Sequence, residues 1–238
     1  MDYRREIDGL RALALLSVLL IGDSYSQDLY NALTEVGFVN KLDIIVRFVP
    51  VACGVLFLDK NEILRLAEPK DIEFCKDEIS LLDDEVLIDM LQSADQIWLA
   101  SSWALKHAES MNRSLKNLRS KTHAKVLLFG RKNFPKLNAK HVELSKTERI
   151  ALVDNMSKKL DVQIKMLDRI NDDGYIDIQG LVCDSNQVSY ESCRLFDKNG
   201  MPKSYDGGHL TKYGALHYGL RIKDRLQCFV FNDCKKVK

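Results

Sequence analysis

A serine near the start of the chain and a histidine near its end are the side chains best suited to nucleophilic chemistry. Ser24 comes directly after Gly-Asp and the apolar run 15–21, which has the pattern of a buried parallel strand. His209 follows Asp206 by three residues. A serine becomes nucleophilic when a neighbouring base accepts its proton, and a carboxylate can hold that base in the required tautomer. The two motifs together predict Ser24 as nucleophile, His209 as base and Asp206 as the group that orients the base.

Each motif also has a purely structural interpretation. Asp23 or Ser24 can start a helix as its capping residue. The Asp-Gly-Gly sequence at 206–208 forms turns without any catalytic role. Taken alone, Gly-Asp-Ser favours the helix cap. The chemical interpretation depends on finding both motifs, in this order, at the two ends of a domain-sized chain.

Alternating strand and helix patterns would position the two motifs. Strands are predicted at 15–21, 41–51, 96–100, 124–130 and 163–167. Helices are predicted at 26–36, 81–93, 104–120, 146–160 and 211–226. The stretches 174–183 and 193–204 are predicted to be rich in loops. This alternation favours an α/β fold, a three-layer α/β/α sandwich around a mainly parallel sheet. Such sheets bind ligands at the carboxyl edge of their strands, where Ser24 would lie.

Length and charge narrow the class of protein. The chain has 238 residues, enough for one large domain with a substantial core. Lys and Arg number 35 and Asp and Glu number 34, for a net charge of +1. A nucleic-acid-binding protein needs a concentrated basic face, so this balance argues against nucleic acid as a partner.

The N-terminus combines a polar, basic start with the short apolar stretch 12–21, a pattern typical of secretion signals. However, no small-residue cleavage site precedes Gly22, and cleavage there would remove the strand that presents Ser24. The stretch is also shorter than the roughly 20 residues of a membrane-spanning helix. We therefore predict that 15–21 is the central strand and that 8–14 is a short helix or a loose arm.

The six cysteines form three pairs that are close in sequence. This spacing fits disulfides 53–75, 183–193 and 228–234 in an oxidising compartment, although six cysteines allow 15 connectivities. The alternative is six reduced thiols in the cytoplasm. The cysteines form no C-x-x-C pair and the histidines are scattered, so no metal site is expected.

The two motifs resemble the first and last blocks of the SGNH (GDSL-type) hydrolases. Other segments are similar to the SGNH domain that is fused to membrane acyltransferases of the acyltransferase 3 family. These segments are Ala52-Cys53, Cys75, 97–103, 181–184, Cys193 and 205–215. The resemblance covers about 15–225 and implies an SGNH hydrolase-like, flavodoxin-like sandwich.

The opening residues, from Tyr3-Arg4-Arg5 to Ala14, resemble the start of the acyltransferase 3 membrane domain. The remaining membrane helices of that family have no counterpart before Ser24. The resemblance therefore implies a shortened fusion protein. Its expected parts are a remnant of the membrane acyltransferase at 1–14, an SGNH hydrolase-like domain at 15–227 and a C-terminal tail at 228–238.

The resemblance also implies further site residues. The Ser24 N–H and the Gly54 N–H are the expected donors to a tetrahedral oxyanion. The family carries a third donor, an asparagine in a Gly-x-Asn-Asp block, and Ser102 lies where that asparagine is expected. Substrate contacts are expected from Asp23, Tyr25 and Trp103.

The function implied is serine-dependent transfer of an acyl group, acetyl in particular, through an acyl-serine intermediate. The acyl group would move onto a cell-surface polysaccharide or lipopolysaccharide, or be hydrolysed from one or from a small ester, without metal or organic cofactor. Because the asparagine and the membrane helices are missing, the alternative is a non-catalytic carbohydrate-binding or accessory domain of the same fold.

The family also implies where the protein acts. Its SGNH domains lie in the periplasm or on the outer face of the cytoplasmic membrane, with the cytoplasm as the alternative here. Association with a membrane would occur through the N-terminus or through a separate membrane acyltransferase. The sequence does not determine the oligomeric state.

Overall fold

The computed structural model describes residues 15–155, 166, 168–170, 172–183 and 192–231. Its strands are β1 (Leu16–Gly22), β2 (Leu42–Phe48), β3 (Gln96–Ala100), β4 (Lys125–Phe129), β5 (Val153–Asn155), β6 (Tyr175–Ile176) and β7 (Ser192–Arg194). Its α-helices are α1 (Ser24–Glu35), α2 (Lys60–Leu66), α3 (Ile72–Glu78), α4 (Glu85–Ser93), α5 (Leu105–Arg119), α6 (Ala139–Glu143), α7 (Lys146–Ala151), α8 (Ile178–Val182) and α9 (Lys212–Phe231). Short 3-10 helices occupy Val39–Lys41, Pro69–Asp71 and Ile79–Leu82.

The central sheet has five parallel strands in the order β2-β1-β3-β4-β6. The strand order reverses between β1 and β3, which is the point where doubly wound α/β sheets bind their ligands. Gly22, the last residue of β1, pairs with Phe48 of β2 and Ala100 of β3. Because these strands end at the same level, the segments that follow them meet at one edge of the sheet.

The sheet is covered by helices on both faces. Residues of β1 alternate between the faces, with Val18 and Leu20 on one side and Leu19 and Ile21 on the other. Helices α1 and α9 pack on the first side, and α2, α4 and α5 pack on the second. The predicted α/β/α sandwich with a parallel sheet is thus confirmed.

The fifth strand of the sheet differs from the prediction. The sequence placed it at 163–167, but Met166 is helical and the other residues of that range lie outside the described part of the chain. The fifth strand is β6, which has only two residues and pairs with Leu128 and Phe129 at the end of β4. A two-residue strand carries no periodic signal, so its segment was predicted as loop.

The helix predicted at 146–160 also ends early. Helix α7 stops at Ala151 because Leu152 is extended, and β5 then pairs antiparallel with β7. Helices α2, α3, α6 and α8 were not predicted from the sequence, and α8 lies in the stretch 174–183 that was expected to be rich in loops. At the C-terminus, α9 runs to Phe231, so the first residues of the predicted tail continue the last helix.

Two of the three expected disulfides are present, Cys53–Cys75 and Cys183–Cys193. The third expected disulfide involves Cys234, and the proposed N-terminal remnant consists of residues 1–14. Both Cys234 and residues 1–14 lie outside the described residues. Within the part of the chain that the structure describes, no helix is both long and apolar enough to cross a membrane.

Candidate active site

Ser24 is the first residue of α1 and follows the turn that ends β1. A Cβ at Gly22 would lie 1.8 Å from the Ala100 carbonyl oxygen, so glycine is required where β1 and β3 end side by side. Asp23 caps α1, and its carboxylate accepts the Tyr25 N–H at 2.8 Å. This turn presents the Ser24 hydroxyl at the carboxyl edge of the sheet.

His209 contacts Ser24 from the loop that precedes α9. Its Nε2 lies 2.8 Å from Ser24 Oγ, and its Nδ1 lies 2.6 Å from Asp206 Oδ2. Because an ionised carboxylate can only accept hydrogen bonds, Nδ1 carries the ring proton and Nε2 is left to accept the Ser24 hydroxyl proton. The structure therefore brings the three predicted side chains together in the order that a serine nucleophile, its base and an orienting carboxylate require.

Asp206 also organises the loop that carries His209. Its Oδ1 accepts the N–H groups of Gly208 and His209, both at 2.8 Å, while its other oxygen faces the imidazole. Partial burial opposes ionisation of this carboxyl. The hydrogen bonds from the His209 ring and the two N–H groups outweigh burial and hold the pKa of Asp206 well below its usual range. The carboxylate is therefore charged at neutral pH, as an orienting group must be.

Two of the three predicted catalytic side chains, those of His209 and Asp206, are open to solvent. The side chains of His209 and Asp206 are 55% and 53% exposed. By contrast, the turn beneath them is closed, since Asp23 is 1% exposed. A bulky molecule could thus approach Ser24 without a change in the fold of the described residues.

Comparison with protein families matches residues 6–224 to the SGNH domain that is fused to AT3 domains. The chain belongs to this family. Domains of the SGNH family are generally hydrolases or acyltransferases, so the activity class is that of an esterase or acyltransferase. The comparison with curated proteins gives no match.

In this SGNH domain, Asp23 has a structural position rather than the expected substrate contact. Besides the Tyr25 N–H, its carboxylate accepts the Ser101 hydroxyl at 2.6 Å and the Ser102 N–H at 2.9 Å. Both oxygens are therefore occupied, and the side chain is buried. Asp23 ties the turn after β1 to the segment after β3, which corrects its assignment as a substrate-binding residue.

The aromatic residues expected at the substrate differ in their environments. Trp103 is fully buried, and its indole N–H donates to the Phe129 carbonyl at 2.8 Å, so the structure places it in the core instead of against substrate. Tyr25 is buried beside the site. Its ring meets the His209 ring edge-on, with 6.2 Å between ring centroids. Tyr25 thus backs the imidazole, and a contact with substrate remains a prediction.

Gly54, one of the expected oxyanion donors, lies in a tight turn. It has a φ of +72°, and its N–H points to the Val51 carbonyl at 3.3 Å. A Cβ at this position would lie 3.0 Å from Nε2 of the buried His107. Burial lowers the pKa of His107 to about 4, so the ring against Gly54 is neutral at pH 7. Gly54 would have to give up its long turn hydrogen bond to serve an oxyanion.

Ser102 does not reproduce an asparagine donor in this arrangement. Its N–H is bound to the Asp23 carboxylate at 2.9 Å, and its side chain is shorter than that of asparagine and carries a hydroxyl in place of the amide. The Ser24 N–H is different, because the first amides of a helix have no acceptor within the helix. It is the expected donor that the geometry leaves available at the nucleophile.

Two charged residues near the site were missed by the sequence analysis. Asp28 and Lys132 form a buried ion pair beneath the His209 loop. The position of Lys132, shortly after a strand that ends at the ligand-binding edge, is a signal that could have identified it. Asp28 gave no comparable signal, since a charge on a helix is usually read as exposed.

Proposed function

We propose that this SGNH domain moves an acyl group through an ester with Ser24. The observation that carries the proposal is the line of hydrogen-bond contacts from Ser24 Oγ to His209 and on to Asp206, at 2.8 and 2.6 Å. In this scheme Ser24 is the nucleophile, His209 the general base and then acid, and Asp206 the orienting carboxylate.

The reaction has two balanced halves. In the first, Ser24 Oγ bonds to the acyl carbon of the donor while its proton moves to His209 Nε2. The tetrahedral adduct then breaks its bond to the donor alcohol, which leaves with the proton from His209. In the second half, a new hydroxyl gives its proton to His209 and attacks the acyl carbon, and Ser24 Oγ leaves and regains a proton. Water as the acceptor gives hydrolysis, and a sugar hydroxyl gives transfer.

The oxyanion of each adduct would be held by the Ser24 N–H at the start of α1, with help from the positive end of the helix dipole. Removing one oxyanion donor from a serine enzyme costs about 10²–10³ in rate. The N–H groups of Gly54 and Ser102 are bound to other acceptors. We therefore expect either a slow enzyme or one in which further oxyanion donors become available only when its proper substrate binds.

An acetyl group and a cell-surface polysaccharide are the proposed acyl group and acceptor. Membership of the family fused to AT3 domains supports this choice. The exposure of His209 and Asp206 agrees with a polymeric substrate, which needs an open site. The two disulfides support action in an oxidising compartment, the periplasm or the outer face of the membrane.

The test is turnover of a chromogenic acetyl ester, combined with mass spectrometry to detect an acetylated Ser24 peptide. We expect Ser24→Ala to lower the rate by at least about 10⁴-fold and to abolish the acylated peptide. Ser26→Ala is the matched control, because this buried serine on the same helical turn donates only to the Asp23 carbonyl, at 2.7 Å. It should retain both signals.

Equal rates for wild type and Ser24→Ala would contradict the proposal. Glycan binding that persists in Ser24→Ala, with no turnover by wild type, would instead favour a non-catalytic carbohydrate-binding domain. Product analysis with an added polysaccharide would separate transfer from hydrolysis.

A further inference from the structure

A buried ion pair between Asp28 and Lys132 lies directly beneath the loop that carries His209. Neither residue takes part in the proposed acyl transfer. Lys132 Nζ lies 2.8 Å from Asp28 Oδ2, and the two side chains are 2% and 10% exposed. Asp28 lies four residues after Ser24 on α1, so both residues project from the same face of that helix. Lys132 follows β4 at the carboxyl edge of the sheet.

The pair binds the backbone on both sides of His209. Lys132 Nζ donates to the Gly208 carbonyl at 2.8 Å. Asp28 accepts the Leu210 N–H, with distances of 3.3 and 3.2 Å to its two oxygens. The residues before and after the histidine are therefore attached, through one ion pair, to the helix that carries the serine.

Lys132 is itself held in place from two directions. Its Nζ lies 3.5 Å from the centroid of the Tyr25 ring, a close cation–π contact. The buried Gln179 accepts the N–H of Asn133 at 2.6 Å and donates to the Asn133 carbonyl at 3.0 Å. These contacts fix the backbone next to Lys132, and the same segment also binds the loop directly, since the Phe134 N–H donates to the Gly207 carbonyl at 2.8 Å.

We propose that Asp28 and Lys132 are positioning residues that set the distance between His209 and Ser24. The proposal rests on the proposed function, since this distance matters only if His209 takes the serine proton. A pair of apolar side chains could fill the same buried space, and replacing a buried ion pair in this way often leaves stability unchanged. Apolar side chains would provide neither a donor for the Gly208 carbonyl nor an acceptor for the Leu210 N–H.

The first test is the double variant Asp28→Asn/Lys132→Met. It removes both charges together, so no buried charge is left without its partner. Asparagine keeps an oxygen for the Leu210 N–H, and methionine keeps the approximate volume of the lysine stem. What is lost is the donor to the Gly208 carbonyl. We expect cooperative unfolding to be retained, kcat on the acetyl ester to fall by about 10²-fold, and KM to stay the same.

The control is Asp84→Asn/Arg47→Met, which removes a partly buried ion pair between β2 and the start of α4. Asparagine at 84 can still cap α4, where Asp84 now accepts the Leu87 N–H. This variant should keep the kcat of wild type. A double variant at Asp28 and Lys132 with wild-type kcat, or one that changes KM alone, would overturn the proposal.

A second measurement needs neither a variant nor activity. Hydrogen exchange of wild-type protein should show a protected Leu210 amide, although this residue lies on the loop next to the exposed His209. NMR should also show the His209 Nδ1 proton strongly deshielded by Asp206, with a weaker effect in the double variant. A Leu210 amide that exchanges as fast as an unstructured one would overturn the anchoring. If wild type shows this protection but no ester turnover, the proposed function fails and the anchoring of the loop stands.

Discussion

On one side of Ser24, the loop from Asp206 to Leu210 offers its imidazole to the serine and is held by hydrogen bonds at almost every residue. On the other side, where Gly54 and Ser102 lie, the backbone N–H groups are bound to other parts of the protein. We call these regions the base side and the oxyanion side. In the proposed mechanism, proton transfer would therefore be prepared in the free protein, whereas stabilisation of an oxyanion would depend chiefly on the Ser24 N–H.

The two sides are also held by different kinds of interaction. The base side is fixed by the Asp28–Lys132 ion pair and the Asp206 carboxylate. The oxyanion side is fixed by the disulfide Cys53–Cys75, next to Gly54, and by the buried Asp23 carboxylate. Hydrogen bonds can rearrange as charge moves during a reaction, but a covalent crosslink cannot. Within the described residues, the oxyanion side therefore carries a covalent constraint that the base side lacks.

The largest effect should come from breaking the base side with Asp206→Asn. The asparagine oxygen can still accept the N–H groups of Gly208 and His209, so the loop keeps its backbone hydrogen bonds. Its amide nitrogen would replace Asp206 Oδ2 and favour the wrong imidazole tautomer. We expect kcat on an acetyl ester to fall by about 10⁴-fold, with cooperative unfolding retained and a modest loss of stability, because charge-assisted hydrogen bonds become neutral ones.

Stopped-time assays and urea unfolding of the same Asp206→Asn sample would check both parts of this prediction. A loss of activity below tenfold (about 1.4 kcal/mol) would mean that the base works without its orienting carboxylate. The base side would then be less complete than the comparison implies.

An intermediate effect should come from the oxyanion side with Gly54→Ala. The substitution places a Cβ at a φ of +72° and 3.0 Å from His107. Such backbone strain costs about 1–3 kcal/mol, and the contact with the histidine adds to it. Gly37→Ala is the matched control, since Gly37 has a φ of +68° and its added Cβ would be 3.8 Å from the nearest atom, Asn40 Nδ2.

Chemical denaturation of the two glycine variants would measure the difference. We expect Gly54→Ala to unfold at a clearly lower denaturant concentration than Gly37→Ala. Equal midpoints would show that His107 moves away freely, and that the oxyanion side is less rigid than its packing indicates.

The smallest effect on turnover should come from Ser102→Ala. Alanine keeps the N–H that binds Asp23 and loses only the hydroxyl. We expect kcat to fall by less than about tenfold, the size of one ordinary hydrogen bond. A loss of about 10²–10³ would identify the Ser102 hydroxyl as an oxyanion donor and remove the contrast between the two sides. Ser101→Ala should instead lower stability, because its hydroxyl donates to the buried carboxylate of Asp23.

Much of the site could be predicted because its key residues lie in short, local patterns. Gly22 to Tyr25 form a turn between a strand and a helix, and Asp206 to His209 form a loop closed by one side chain. In both cases the carboxylate binds backbone within three residues of itself. The disulfides Cys53–Cys75 and Cys183–Cys193 likewise join cysteines that are near each other in sequence.

The errors arose where distant segments decide the environment of a residue. The resemblance to the family had made Asp23 and Trp103 candidates for substrate contacts. The Asp23 carboxylate is occupied by hydrogen bonds from Ser101 and Ser102, which lie far along the chain. The Trp103 side chain lies in the core, where it donates to the Phe129 carbonyl. Periodicity and turn chemistry describe neighbours in sequence and contain no information on such partners.

The sequence by itself determined the α/β alternation, the turn that presents Ser24, the loop that carries His209 and the family to which the chain belongs. Those features depend on residues within one turn or one strand of each other. Only the tertiary structure decided that Asp28 meets Lys132 across 104 residues, and that Gln179 fixes the backbone beside that lysine. A buried charge is stable only with its partner in place, and that partner is supplied by the packing of the whole domain.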